Sequence, residues 1–241
     1  MGRFEEAHET LDRALHDSRS LRTPSTEGFA LHNLGMSLAR LQDLDSAIEH
    51  ERMAEAIGER TSHFRLRFAS RLYETLFLTW RGEPGDLAFA HTMVETIRSD
   101  SASHPISYLE ATGVLAQVQL ARGKLPACME ACEDAFSRLT VLGTMQEGEE
   151  MLRLVHVEAL LRAERIDEAR AALDLAYRCV MGRAEQMSQP FHREAFLSRL
   201  YECRRIIELS AQLLGYETPE VFEVSPPPAP PRYSQPPGDY L

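Results

Sequence analysis

Two thiols four residues apart, Cys128 and Cys132 in "GKLPACMEACEDAF", are the first groups whose type and spacing could do chemistry. At that spacing two side chains share one helix face, and paired thiolates are half of a tetrahedral zinc site. The other ligands would have to come from neighbouring helices, with His156 and Cys179 the candidates. The simpler reading gives both thiols a packing role, because buried free cysteine behaves as a small hydrophobe. No metal site is therefore expected. Lys124 raises a second question, since it follows Gly123. A phosphate-cradling loop ending there would need Gly at 118 and Ser or Thr at 125, where Val118 and Leu125 stand. The sequence holds no "HRD", no "DFG", no Gly-rich kinase loop, no G-x-S-x-G elbow and no H-E-x-x-H. Of the nine histidines, His50 and His91 sit among polar neighbours and read as solvated. No catalytic residue, no cofactor and no enzymatic activity are expected.

The elements that carry these residues are all helical. "GRFEEAHETLDRAL", "QDLDSAIEHERMAEAI", "GDLAFAHTMVETI", "GKLPACMEACEDAF" and "ERIDEARAALDLAY" each place a turn, an apolar residue, a small residue and then apolar positions at helical spacing. The small residues are Ala7, Ala47, Ala88, Cys128 and Ala169, at spacings of 40, 41, 40 and 41. Before each unit after the first lies another amphipathic stretch: Ser25–Leu41, Ser62–Arg81, Pro105–Arg122 and Gln146–Ala163. Pro24, Pro84, Pro105, Pro126 and Pro190 all fall at boundaries, where a missing N–H costs little. No period-two run predicts a strand. A small residue lets two antiparallel helices approach near their turn, and Gly35 supplies the matching gap opposite Ala47. One helix hairpin cannot bury both its faces, so stacked neighbours must complete the core.

Composition bounds the rest. The chain has 241 residues, 44% of them hydrophobic, and a formal net charge of −11 with no visible basic run. That argues against a nucleic-acid-binding face. Lys124 is the only lysine beside 25 arginines, a bias that fits a GC-rich bacterial coding sequence. The four cysteines form no C-x-x-C pair. With no apolar leader and no apolar run of membrane-spanning length, a cytoplasmic protein with reduced thiols and no membrane contact is expected.

"LHNLGMSL" (Leu31–Leu38) followed by "ARLQDLDSAIEHERMAEAI" resembles a tetratricopeptide repeat: the pattern W-x-x-L-G-x-x-Y with Leu31 and Leu38 in the aromatic places, then Ala47 and Ala54 at the small positions. The resemblance covers about residues 2–215. It implies an all-α fold, a tetratricopeptide-like α-solenoid of antiparallel pairs with about ten helices. The parts would be a half repeat at 1–22, repeats at about 25–60, 61–100, 105–143 and 145–187, and a closing helix at 190–215. The period exceeds the usual 34 residues. Such long units are similar to the helical-repeat regions of bacterial serine/threonine kinases and of STAND or AAA-type signalling ATPases. "SQPFHREAFLSRLYECRRIIELSAQLLG" resembles their closing helix, with Phe191 in a Trp place.

The resemblance implies a non-catalytic scaffold that binds a protein or peptide through a concave face lined by first helices. The candidate contact residues are Phe29, His32, Asn33 and Met36, then Tyr73, Glu74, Phe77, Trp80 and Arg81, then Gln117. Glu110, Gly113, Leu154 and Glu158 take equivalent places. The aromatic residues could instead fill the solenoid core. The alternative is that the chain is a regulatory arm of a larger kinase or ATPase, whose enzymatic domain acts in cis. On this register the opening stretch is a second helix without its first, which leaves Phe4, Leu11 and Leu15 partly uncovered and implies a truncated array. Residues 216–241 hold eight of the thirteen prolines and are expected to be a disordered tail. Within it "PPAPPR" fits P-x-x-P-x-R and "PPRY" fits P-P-x-Y, two patterns read by aromatic grooves.

Overall fold

The computed structural model describes residues 3–143, 145, 147–224 and 228. Among them there are no strands, eleven helices of ten or more residues, and a final single turn. The helices are α1 (Phe4–Ser20), α2 (Pro24–Arg40), α3 (Leu44–Arg60), α4 (Phe64–Arg81), α5 (Asp86–Asp100), α6 (Pro105–Ala121), α7 (Leu125–Leu142), α8 (Glu149–Arg162), α9 (Ile166–Glu185), α10 (Pro190–Arg199), α11 (Tyr201–Leu214) and α12 (Val221–Val224). The all-α expectation therefore holds, and every proline before α12 except Pro219 stands in a turn or in a helix's first two positions, as at Pro24, Pro126 and Pro190. No helix among the described residues is long and apolar enough to cross a membrane.

One turn recurs. The linkers at 21–23, 41–43, 61–63, 122–124 and 163–165 are three residues long, with a middle residue at positive φ: Arg22, Gln42, Ser62, Gly123 and Glu164. In each, the third residue's N–H reaches five residues back, at 2.8 to 3.0 Å, and the middle N–H reaches three back. This is a Schellman closure, which satisfies the carbonyls that the ending helix leaves open. At two of these turns the third residue's side chain caps the next helix: the Asp43 carboxylate accepts from the Ser46 N–H, and the His63 ring nitrogen from the Leu66 N–H. Helices so joined must run antiparallel.

The chain forms two compact units, with the boundary between Val114 and Leu115 inside α6. In the first unit α2 packs on α3, α3 on α4, and α2 also on α4. Gly35 makes the close approach expected of it: a Cβ there would stand 3.1 Å from the Ala47 carbonyl oxygen. Gly58 plays the same part between α3 and α4, where a Cβ would lie 2.9 Å from the Arg67 nitrogen. The second unit repeats the triangle with α8, α9 and α11. Its core joins Leu154, Val157 and Leu161 to Leu173, Val180, Phe196, Ile206 and Ile207.

Three expectations need correction. Ala47, Cys128 and Ala169 are fully buried small residues, but Ala88 is exposed; in α5 that role falls to Ala90. The preceding turn, Gly82–Gly85, is one residue longer than the recurring three-residue turns and carries two left-handed glycines, so α5 is entered in a different phase. The Asp86 carboxylate at its start accepts from the Arg81 guanidinium at 2.9 Å and the Glu83 N–H at 3.0 Å. The closing helix is broken: Leu200 is extended (φ −85°, ψ 119°), so α10 and α11 are separate, and α11 packs against α8 and α9. The chain after Gly215 is not all tail. Tyr216 donates to the Asp174 carboxylate at 2.6 Å, and the Arg204 guanidinium lies 4.4 Å from the Phe222 ring. The rest of the proposed tail, including "PPAPPR" and "PPRY", lies outside the described residues apart from Pro228. In α1, Phe4 and Leu11 are half-buried, which agrees with the partly uncovered stripe expected there, while Leu15 is buried; the exposed side is polar, with Glu5, Glu6, Glu9, Asp12 and Asp17 outward.

Candidate functional site

Nine of the ten candidate contact residues fall in the first unit, on α2 and α4. Because α2 packs against α4, the side chains of the two helices meet in a chain of rings. His32 stands edge-on to Tyr73 (5.2 Å), Tyr73 to Phe77 (5.8 Å), and Phe77 is tilted against Trp80 (5.6 Å). The Arg40 guanidinium covers the Trp80 ring at 4.8 Å, a cation–π contact. Yet Phe77 is 1% exposed and Trp80 4%, so both are core residues in this structure. The Trp80 indole N–H is buried without an acceptor. What remains accessible on this face is Phe29, Met36 and Tyr73, all half-buried, and the exposed Asn33, whose amide donates to the Phe29 carbonyl at 2.8 Å.

Under the rings lies a buried polar cluster that the sequence did not disclose. Glu51 of α3 has no exposed surface, and its two oxygens sit 2.9 and 3.1 Å from His32 Nδ1. Gly35 makes room for it: a Cβ there would come within 2.9 Å of Glu51 Oε1. Burial, the largest influence, pushes the Glu51 carboxyl up to about 7 against the opposing pull of His32 and Ser70, and Glu74 adds to the rise. The Ser70 hydroxyl lies near enough to favour the Glu51 charge but forms no well-directed hydrogen bond. Glu74, also buried, accepts from Arg52 Nε at 2.7 Å. Ser70 stands beside Glu51 rather than completing a relay through His32, and both groups are closed to solvent. This arrangement fastens α2, α3 and α4 together. A signal for Glu51 did exist. It lies four residues after Ala47 and three before Ala54, both fully buried, so its carboxylate had to point inward.

Arg81 is engaged with Asp86 and with Asp45 at 2.6 Å, and these bonds raise its already high pKa. Gln117 belongs to the second unit, where it is 2% exposed. In that unit Leu154 and Glu158 are buried as well, and burial raises the Glu158 carboxyl pKa against the attraction of Arg162 and Arg205. Cys128 and Cys132 are fully buried, and the Cys132 thiol is pushed up by its hydrogen bond with Cys128 and by burial. His156 stacks edge-on to Phe136 at 5.2 Å, and burial lowers its pKa. Among the described residues no group of three or more His, Cys, Asp or Glu is placed to hold a metal ion. The depression along α5 lined by His91, Thr92, Glu95, Thr96, Ser99 and Asp100 belongs to one open helix surface rather than an enclosed cavity.

No model of a known protein family matches the chain, and no curated protein matches it.

Proposed function

We propose that this chain is a non-catalytic helical-repeat module of tetratricopeptide type, which binds a protein or peptide partner across the face of its first helices α2 and α4. The observation that supports this most is the α2–α3–α4 triangle, with first helices side by side and a second helix behind them. That arrangement leaves Phe29, Asn33, Met36 and Tyr73 on one accessible strip over a rigid, ring-packed base. Strips of half-buried aromatic and thioether side chains on a fixed scaffold suit peptide recognition, because little side-chain freedom is lost on binding. The buried Phe77 and Trp80 position that strip rather than touching the partner.

Peptide display against the intact chain tests the reading. A consensus sequence should be enriched, and its binding should be lost in Met36→Glu while Trp80 fluorescence reports an intact fold. Failure to enrich any consensus, or a consensus that Met36→Glu binds as well, overturns it.

A further inference from the structure

A second surface of the first unit gathers features that the α2–α4 strip does not use. Phe64, the first residue of α4, stays 37% exposed although its ring stacks between Phe68 (6.1 Å, 20°) and His104 (4.7 Å, 24°). Two residues beyond His104, Ile106 in the first turn of α6 is 49% exposed. A ring held by stacking and left partly open to water offers an anchor that loses little side-chain freedom on binding.

The charges around it are unlike those of the rest of the chain. From Arg60 to Tyr73 there are four arginines and no Asp or Glu, in a protein of net charge −11. They stand at the end of α3 and along the first half of α4, too widely spaced to form a basic run. Arg67 reaches Glu59 at 3.4 Å, and Arg71 reaches Glu55 at 3.5 Å and Asp100 at 3.4 Å. Arg60 and Arg65 are exposed and make no hydrogen bond or ion pair among the described residues. The positive end of the α4 dipole faces the same place.

We infer that this surface docks an acidic peptide segment of a partner protein, with an apolar or aromatic anchor seated on Phe64 and Ile106 and carboxylates paired to Arg60 and Arg65. The inference rests on the peptide-binding reading and names the chemistry of the partner. Charge complementarity selects the occupant. Two uncommitted guanidiniums stand within four residues of one exposed ring along the chain, which suits a short motif of an anchor between acidic residues. A single-stranded nucleic acid fits less well. It carries a phosphate on every nucleotide, and Glu55, Glu59 and Asp100 on the same surface already hold the other two arginines and repel a continuous anionic backbone.

The test is fluorescence anisotropy on the full chain, with a fluorescein-labelled peptide Glu-Asp-Phe-Glu-Asp-Phe-Glu as probe. Its Gln/Asn counterpart and labelled oligo(dT) are the comparisons. The acidic peptide should bind at least about tenfold more tightly than its neutral counterpart, and added salt should weaken it. Arg60→Glu/Arg65→Glu should lose about tenfold or more in affinity. Both side chains are exposed, so that variant should keep the helical circular dichroism of the parent. Phe64→Ser should weaken binding at constant charge. Equal binding of acidic and neutral peptides, unchanged binding by the double variant, or tighter binding of oligo(dT) overturns the inference. If a displayed consensus is lost in Met36→Glu but kept in Arg60→Glu/Arg65→Glu, the repeat-module reading survives and this surface does not.

Discussion

Replacing Glu51 by Gln removes one titrating group from the middle of the first unit while keeping its shape. The carboxyl ionises near 7 in the native state against an ordinary 4.5. Between those values the folded protein holds a proton that the unfolded chain has already released. Stability therefore falls as pH rises through that window, and above it both states are ionised and the loss is complete. Such a difference is worth about 3 kcal/mol in full, of which about 2–3 kcal/mol falls between pH 5 and pH 8. His32 from α2, Ser70 and Glu74 from α4, and Arg52 through Glu74 surround the group, and all of them remain in the variant. The difference between wild type and Glu51→Gln thus reads the Glu51 carboxyl together with its coupling to His32. Trp80 is the only tryptophan and lies buried in the same unit, so urea unfolding followed by its fluorescence reads the relevant transition. Relative to the variant, the wild type should lose about 2–3 kcal/mol on going from pH 5 to pH 8. A difference constant to within about 0.5 kcal/mol across that range refutes the reasoning.

The register correction in α5 predicts opposite responses from two neighbours. Ala90→Leu should destabilise by about 1–3 kcal/mol through overpacking, and Ala88→Leu should change stability by less than about 0.5 kcal/mol; thermal melts that reverse this order restore the original register. The left-handed residues of the recurring turn carry backbone strain that glycine would relieve. Gln42→Gly and Glu164→Gly should each stabilise by about 0.5–1 kcal/mol in chemical denaturation, and a loss in both would show that their side chains make compensating contacts. Under native conditions a disulfide reagent at pH 8 should modify Cys179, which is half-buried, well before the buried Cys128, Cys132 and Cys203. Mass spectrometry that finds Cys132 modified first would contradict its raised pKa.

Most helix positions were legible because their boundaries are written in local chemistry: Pro24 at the start of α2, Asp43 capping α3, Gly82 and Gly143 ending α4 and α7. The phase of α5 was not, since the longer turn in "GEPGD" changes how the helix is entered, and with Ala88 and Ala90 both small the pattern alone does not say which faces the core. The break at Leu200 carries no Pro or Gly, and nothing in the local sequence explains it. Among the candidate contacts, Asn33 is exposed and Phe29, Met36 and Tyr73 are half-buried, whereas Phe77 and Trp80 are buried. Helical spacing assigns residues to a face, but it does not say how closely the next helix covers that face. The His32–Glu51 pair joins residues 19 apart on different helices. It required the packing of α2 on α3, although Gly35 and the Ala47–Ala54 face marked the place.

The turn between α6 and α7 has a practical consequence of its own. Lys124 is the only lysine, it is exposed, and its N–H closes the turn onto Gln119 at 2.9 Å. Apart from the chain's α-amine, that one Nζ is the only primary amine. An amine-directed dye or crosslinker therefore lands at a single known address on a well-ordered backbone. A lysine-specific protease likewise has one bond to cut, between Lys124 and Leu125. Its cleavage rate would time the opening of that turn alone.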